Sequence, residues 1–243
     1  MEWFENWFDS PYYHILYKNR DYSEAEFFLD NLVNHLTPKP NANMLDLACG
    51  KGRHSYYLAN KGFQVTGLDL SPESIEHAKK DSKGNPSFAI HDLRENYLPH
   101  YFNYVFNFFT SFGYFEDKAD NEKAVKAMAH TLKANGTLVI DFFNATKVAN
   151  SIVPAEIKQI DGITFDILRK IEDGKVIKKI RFEDNNKMFD FEEKVQLIGL
   201  DEFTKYLTNA GFSITNLFGD YALNEFDENN SPRLIIEAQK NVG

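Results

Sequence analysis

A glycine-rich turn between a buried strand and a helix constrains the fold of this chain more than any other feature. Residues 44–47 form a short apolar run typical of a buried strand, 48–52 are small turn residues, and a helical pattern begins at Arg53. A parallel sheet uses this arrangement to aim backbone N–H groups at a ligand beyond the carboxyl ends of its strands. Glycine suits such a turn because a Cβ would block the ligand's close approach. The stretch therefore predicts a ligand site at this edge of a parallel sheet.

Strand and helix patterns alternate on both sides of this turn. Five strands joined by crossover helices predict an α/β fold, a doubly wound parallel sheet with helices on both of its faces. Besides the strand at 44–47, the predicted strands are 64–69, 87–92, 104–109 and 136–143, and the predicted helices are 23–36, 71–80 and 118–132.

The pattern changes after the fifth strand. Apolar and polar residues then alternate with a period of two, and Asp173-Gly174 is a strong hairpin turn. We therefore predict an antiparallel meander inserted into the sheet. The alternating segments are 163–172, 175–184 and 188–197, and the helix and two strands predicted after them are 200–210, 213–218 and 233–239.

The spacing Asp46-x-Ala48-x-Gly50-x-Gly52 resembles the ligand loop of the class I S-adenosylmethionine-dependent methyltransferases, in which small residues follow an acidic residue at every second position. The run VTGLDLS after it is similar to the second motif of that family. The resemblance implies a seven-stranded, mostly parallel, Rossmann-like sheet whose last two strands form a hairpin. It also implies S-adenosyl-L-methionine as the cofactor.

The same resemblance suggests how the chain is divided. It covers most of the chain outside the meander, which is similar to the substrate-side caps of several small-molecule methyltransferases. We expect the aromatic N-terminal segment to form a helical lid on the cofactor site, and the alternative is that it simply packs on the sheet. The predicted domains are the lid at 1–40, the S-adenosylmethionine-binding domain at 41–145 and 198–243, and the β insertion at 146–197.

Carboxylates at two strand ends are predicted to hold the cofactor's nucleoside. Asp69 ends the second strand, where a carboxylate can accept two hydrogen bonds from a ribose diol. Its alternative role is to cap a helix or sit in a loop, and Leu70 would pack on the adenine. By analogy with the family, Asp92 and Leu93 are assigned to the adenine, with an ordinary surface aspartate as the alternative.

Four further residues are expected near the methionine part of the cofactor. Asp46 is expected to have a bonding role on its buried strand, because burial of a carboxylate is costly unless it is bonded. It can hold the N–H groups of the glycine loop or reach the ligand's amino group through water. Asn107 and Phe108 end the fourth strand, where backbone groups of the family bind this moiety. Arg20 could pair with the methionine carboxylate, and its alternative is an ordinary surface arginine.

Tyr13, His14 and Tyr17 are the candidates for the methyl-transfer pocket. Aromatic faces favour a sulfonium cation, and His14 is the only histidine placed to act as a base, with a structural or exposed histidine as the alternative. The other histidines lack metal-ligand spacing and Cys49 is the only cysteine, so no metal site is predicted. Methyl transfer needs in-line alignment, and a base only when the acceptor arrives protonated.

The charge of the chain favours a small acceptor. The net charge is −9 and no basic stripe is visible, so nucleic acid and anionic membranes would be repelled. No proline follows Asn107, unlike in the amino-methyltransferases of nucleic acids. The sequence therefore predicts methyl transfer to a small-molecule nitrogen or oxygen. The single cysteine and the acidic N-terminus predict a cytoplasmic protein.

Three alternatives remain open at this level. A protein of the same fold can hold S-adenosylmethionine or its product without catalysing a reaction. A nicotinamide oxidoreductase is disfavoured, because the third glycine of its G-x-G-x-x-G loop would fall at Ser55. A nucleic-acid methyltransferase is disfavoured by the negative charge.

Overall fold

Two β-sheets organise the structure, a computed structural model that describes residues 3–18 and 22–242. The larger sheet follows the order β10-β11-β5-β4-β1-β2-β3 and the smaller one the order β6-β7-β8-β9. In chain order the strands are β1 (Asn43–Leu47), β2 (Gln64–Asp69), β3 (Ser87–Ile90), β4 (Phe102–Asn107), β5 (Leu132–Phe143), β6 (Ala155–Ile160), β7 (Ile163–Glu172), β8 (Lys175–Asp184), β9 (Lys187–Gln196), β10 (Phe212–Phe218) and β11 (Arg233–Lys240).

The larger sheet confirms the predicted seven-stranded, mostly parallel architecture. β1 pairs in parallel with β2 and β4, whereas β11 is antiparallel to both β5 and β10. The direction in which successive strands are added reverses beside β1. Open α/β sheets bind their ligands in the crevice at such a switch point.

Helices cover both faces of the larger sheet. Along β1, Leu45 and Leu47 pack into one apolar cluster and Met44 into the other, because successive side chains of a strand point to opposite faces. The helices are α1 (Trp3–Phe8), α2 (Pro11–Leu16), α3 (Tyr22–Leu36), α4 (Arg53–Asn60), α5 (Pro72–Lys79), α6 (Lys118–Thr131), α7 (Ala145–Ser151) and α8 (Leu200–Asn209).

The smaller sheet is the predicted meander with one more strand. The hairpin at Asp173-Gly174 forms as predicted, with both residues at positive φ. Sequence reasoning did not identify β6 and α7, which precede the meander. The pattern of β6 explains the omission, because five of its six residues are polar or exposed, and Ile157 is 75% exposed. A strand that buries little apolar surface leaves a weak periodic signal.

Three strands differ from the prediction by two residues or more. β3 stops at Ile90 rather than at 92, β4 spans Phe102–Asn107 rather than 104–109, and β5 begins at Leu132 rather than at 136. β4 ends before its apolar run does, because Phe109 and Thr110 both adopt positive φ, 55° and 61°. This conformation cannot continue a strand and is uncommon for residues other than glycine.

Candidate functional site

A cavity of about 730 Å³ lies at the carboxyl ends of β1, β2, β3 and β4. We call it the main cavity; the glycine turn, the ends of β2 and β3, the 108–115 loop and residues of α1 and α2 line it. Binding pockets for small molecules are clefts of about 300–1,000 Å³. The main cavity is therefore large enough for a cofactor and occupies the switch point of the sheet.

The glycine turn is left-handed at three alternating positions, Ala48, Gly50 and Gly52, with φ of 59°, 56° and 82°. A Cβ on Gly52 would come within 2.6 Å of the Phe88 ring, whereas one on Gly50 would meet no atom within 4 Å. Gly52 is therefore required for packing, and Gly50 for its backbone conformation. Ala48 and Gly50 both line the main cavity.

Asp69 lies at the centre of this cavity wall. Its carboxylate accepts hydrogen bonds from the backbone N–H of Gly50 at 2.7 Å and of Ser71 at 2.8 Å. Burial raises the pKa of Asp69 above its ordinary value, although these two bonds oppose the shift. Leu70 lines the cavity beside it. The structure thus brings Asp69 to the glycine turn, and its contact with a ribose stays a prediction.

Asp92 and Leu93 also line the main cavity. The Asp92 carboxylate forms a bidentate ion pair with Arg94, whose Nη2 lies 2.6 Å from Oδ2. This pair lowers the pKa of Asp92 although its burial acts in the opposite direction. Asp92 is therefore ionised and can accept a hydrogen bond at the cavity, and its contact with the adenine stays a prediction.

Asp46 and Asn107 lie behind the cavity wall rather than on it. Asp46 is 1% exposed and accepts a 2.6 Å hydrogen bond from the Ser55 hydroxyl, which ties β1 to α4. Burial raises the pKa of Asp46 to about 7. The Asn107 amide donates to the carbonyls of Leu47 and Ser111, while Phe108 next to it reaches the cavity. Both buried side chains hold strand ends in place, and direct cofactor contacts remain predictions for them.

The three catalytic candidates converge on the main cavity from α2 and the residue after it. Tyr13, His14 and Tyr17 all line it, and the Tyr13 and Tyr17 rings lie 4.9 Å apart. The Tyr17 hydroxyl donates to Glu193 of β9 at 2.7 Å and accepts from Lys178 of β8. The predicted contact of Arg20 lies outside the described residues.

We call residues 3–18 the aromatic lid, because their rings close one side of the main cavity. Asp9 attaches the lid to the cofactor side, where its carboxylate accepts from the Ser71 hydroxyl at 2.7 Å and the Glu73 N–H at 3.1 Å. The Trp7 indole attaches it to the meander by donating to Glu193 at 2.7 Å. The lid is therefore joined to both sheets by polar contacts.

Sequence reasoning missed a buried ion pair that shapes the cavity. Asp141 in β5 is fully buried and pairs with Arg233 at 2.7 Å. Asp141 also accepts the Phe109 N–H at 2.8 Å, and Arg233 donates to the Thr110 hydroxyl at 3.1 Å. The pair thus holds the two left-handed residues after β4. The signal that could have revealed it is a single carboxylate inside the apolar run LVIDFF.

Among residues 3–18 and 22–242, no group of three or more His, Cys, Asp or Glu side chains is arranged to hold a metal ion. In the same residues, none of the helices combines the length and the apolar character needed to cross a membrane.

Comparisons with known proteins agree with this geometry. A family model described as "Methyltransferase domain" matches residues 44–136. The chain is 30% identical over 207 residues to "Putative methyltransferase YqeM" of Bacillus subtilis (strain 168), which covers 81% of this chain and 83% of that protein. Over 151 residues it is 30% identical to the dTDP-3-amino-3,4,6-trideoxy-alpha-D-glucopyranose N,N-dimethyltransferase of Streptomyces venezuelae, 60% of this chain and 62% of that one.

A solved structure shares the arrangement of both sheets. The crystal structure of an S-adenosylmethionine-dependent methyltransferase from Clostridium acetobutylicum ATCC 824 superposes with a TM-score of 0.81. The two chains are 22% identical, and the match covers 95% of this chain and 96% of the other. At this identity the likeness concerns the fold.

Proposed function

This chain belongs to the class I S-adenosylmethionine-dependent methyltransferases, and we propose that it methylates a nitrogen or oxygen atom of a small molecule bound in the main cavity. The enzyme class and the cofactor follow from membership of the family. The proposal concerns the acceptor and the roles of individual residues. Its main support is the main cavity itself, which joins the glycine turn to the aromatic lid.

The residues around the glycine turn fit the cofactor. Asp69 is a half-buried carboxylate on the cavity wall, suited to accept hydrogen bonds from a ribose diol. Gly50 leaves open space where a side chain would project. The apolar Leu70 and Leu93 flank the region proposed for the adenine, with Asp92 beside them. When bound, S-adenosylmethionine supplies a methyl group activated by its sulfonium.

The aromatic lid would orient the acceptor and exclude water. Tyr13 and Tyr17 present rings that favour a cation, and Phe8 packs on Tyr13 at 5.0 Å. His14 is the proposed base for an acceptor that arrives protonated. Alignment of two reactants can lower the barrier by about 7–11 kcal/mol, so the lid's positioning role would carry most of the catalysis.

A small-molecule amine is the acceptor that the relatives favour. The Streptomyces venezuelae protein and a Streptomyces fradiae protein, 32% identical over 126 residues, are both named as N,N-dimethyltransferases of dTDP-linked amino sugars. The aromatic walls of the cavity also suit an amine, because it becomes cationic on methylation. An oxygen acceptor remains within the proposal, since the same alignment serves a hydroxyl.

The net charge of −9 supports the proposed exclusion of nucleic acid, because phosphate backbones would be repelled. The lone buried Cys49 supports a reducing compartment, and the cytoplasm is the proposed location.

The experiment that tests the proposal is an acceptor screen. The purified protein is incubated with S-adenosylmethionine and a panel of small amines and alcohols, with a structured RNA as a separate arm. Release of S-adenosylhomocysteine and the mass of each acceptor are measured together. The proposal expects methylation of at least one small molecule and none of the RNA. Methylation of the RNA alone would overturn it.

A further inference from the structure

A second cavity of about 580 Å³ adjoins the main one on the meander side. Helix α7, the end of β5 and the inner face of the meander enclose it. Phe109 lines the main cavity and its neighbour Thr110 lines the second, so the left-handed turn after β4 stands between the two. Of the residues that the structure describes, none proposed above to bind the cofactor lines this second cavity.

The inner face of the meander is divided between the lid and this second cavity. One half carries Phe165, Ile180 and Phe191, which pack on the lid around Trp7. The other half carries Val176 and Val195, which line the second cavity. A row of three charged residues crosses the sheet at the boundary. We call Arg169, Lys178 and Glu193 the charged row. In the register of the sheet, Arg169 of β7 lies opposite Lys178 of β8, and Lys178 lies opposite Glu193 of β9.

The charged row contains an unfavourable neighbour pair. Arg169 and Lys178 are directly opposite each other on adjacent strands, and like charges in that position are destabilising. Their side chains are only 20% and 12% exposed, so water screens the repulsion poorly. Burial lowers the pKa of Lys178, and the charges of Arg169 and Lys158 act in the same direction. Folding alone does not explain why two cations meet inside a cavity.

Neighbouring carboxylates offset this charge only in part. Arg169 Nη2 pairs with Glu156 at 2.5 Å, and Lys178 lies 3.4 Å from Glu193. Glu156 is shared with Lys158 at 3.2 Å, so three cations face two carboxylates. Among the described residues, the Arg169 guanidinium donates to Glu156 and to the Val153 carbonyl, which occupies two of its five N–H donors. Donors and positive charge are thus left for a ligand.

We propose that the second cavity binds an anionic group of the methyl acceptor, a phosphate or a carboxylate, through Arg169 and Lys178. This inference rests on the proposed function, because it treats the two cavities as parts of one acceptor site. Guanidinium matches carboxylate and phosphate in a bidentate geometry. The apolar residues Val148, Ile152 and Val176 would cover the body of the acceptor.

Tyr17 connects the two cavities physically. Its ring lines the main cavity, while its hydroxyl contacts Lys178 and Glu193 of the charged row. On this proposal, an acceptor anchored at Arg169 would extend past Tyr17 and Thr110 toward the main cavity. The anionic anchor would fix the distance between the cofactor and the nucleophilic atom.

The test is isothermal calorimetry on protein saturated with S-adenosylhomocysteine. The probes are inorganic pyrophosphate, thymidine 5′-diphosphate and succinate, which separate phosphate from carboxylate as the source of the charge. The variants are Arg169→Gln and Lys178→Met. Their matched controls are Lys170→Gln and Lys179→Met, whose side chains are 51% and 44% exposed on the outer face of the same strands. Thermal unfolding is recorded for every variant.

The proposal expects at least one probe to bind the wild-type protein, with at least ten-fold weaker binding to both inner-face variants and less than two-fold change in the controls. Arg169→Gln decides the result if Lys178→Met does not fold. The proposal is overturned if no probe binds, or if inner-face and outer-face variants weaken binding equally. Saturation with S-adenosylhomocysteine is checked in the same samples, so loss of the anion site is distinguished from failure of the proposed function.

Discussion

Asp46 and Asp69, near the ends of the neighbouring strands β1 and β2, illustrate how single residues divide the work. Asp69 lies on the cavity wall and accepts backbone N–H groups from the glycine turn, whereas Asp46 lies behind the wall and holds Ser55. Burial raises the pKa of both, and the charge of Asp69 raises the pKa of Asp46 further. Asp69 is therefore placed to meet a ligand, whereas Asp46 is placed to hold β1 against α4.

Asp46→Asn tests the buried position. The pKa of Asp46 is about 7 in the folded protein, above its unfolded value near 3.9, so the native state holds the proton longer. Its contribution to the free energy of unfolding therefore falls as the pH rises from about 4 to about 7, by on the order of 4 kcal/mol at most. The asparagine carbonyl can still accept the Ser55 hydroxyl.

Urea unfolding at pH 5 and pH 7.5 measures the effect. The variant is expected to lose less stability than the wild type between these two values. Equal losses in both proteins would mean that Asp46 is not a protonated buried acid below neutral pH.

Gly50→Ala and Gly52→Ala separate conformation from packing. Both residues have positive φ, which costs an alanine about 1–2 kcal/mol, but only a Cβ on Gly52 meets Phe88 at 2.6 Å. Gly52→Ala should therefore reduce the free energy of unfolding by clearly more than Gly50→Ala. In a Phe88→Ala background, the further loss caused by Gly52→Ala should be smaller, whereas the further loss caused by Gly50→Ala should be unchanged. Identical losses in the two single variants would contradict this reading.

At this scale the sequence identified the turn residues and Asp69 because their spacing follows from how a strand, a turn and a helix connect. It could not separate wall residues from those behind the wall. Asn107 at the end of β4 shows the reason: a side chain's direction there depends on the following turn, and the left-handed Phe109 and Thr110 give no sequence signal.

At the scale of elements, the aromatic lid contacts both sheets. Its aromatic residues pack on the meander, and Asp9 reaches the N-terminus of α5. The lid buries apolar rings on one side and leaves Tyr13 and Tyr17 on the main cavity.

Asp9→Ala removes the lid's contact with α5. Loss of a carboxylate that accepts from a helix N-terminus costs about 0.5–2 kcal/mol. If the closed lid retains the ligand, S-adenosylhomocysteine should dissociate roughly 2–30 times faster from the variant. Stopped-flow displacement measures this rate, and Asp166→Ala, an exposed carboxylate on the meander, is the control. Unchanged dissociation in Asp9→Ala would mean that this contact does not restrain the ligand.

Arg233→Met tests the ion pair that holds the turn after β4. Removing one partner leaves Asp141 buried and uncompensated, and such changes cost about 3–5 kcal/mol. Arg181→Met breaks an ion pair whose side chains are 53% and 56% exposed, and exposed pairs contribute about 0–1 kcal/mol. Chemical denaturation compares the two. A loss below 1 kcal/mol for Arg233→Met would show that the turn does not depend on this pair.

The elements that the sequence predicted are those with strong periodicity. The strands of the larger sheet and the meander hairpin at Asp173-Gly174 fall in this group. Helix α7 and strand β6 were not predicted, because they bury few residues and so leave a weak periodic pattern. Helix α7, for example, has no fully buried side chain. Both elements line the second cavity, α7 through Val148 and Ser151 and β6 through Glu156. That cavity therefore could not be predicted either.

At the scale of the whole molecule, two sheets with different tasks meet at one pair of cavities. The larger sheet supplies the glycine turn and Asp69, and the meander supplies the charged row. The Asp141–Arg233 pair and the aromatic lid hold the boundary between them. A cofactor on one side and an acceptor on the other would then meet beside Tyr17.

The most direct measurement is calorimetric titration of ligand-stripped protein with S-adenosylhomocysteine, using the wild type, Asp69→Ala and the outer-face control Lys179→Met. We expect saturable binding of one ligand per chain to the wild type and the control, and at least ten-fold weaker binding to Asp69→Ala, because the ribose would lose its carboxylate acceptor. Equal affinity of the wild type and Asp69→Ala, or no heat with the wild type, would contradict a cofactor site at the glycine turn.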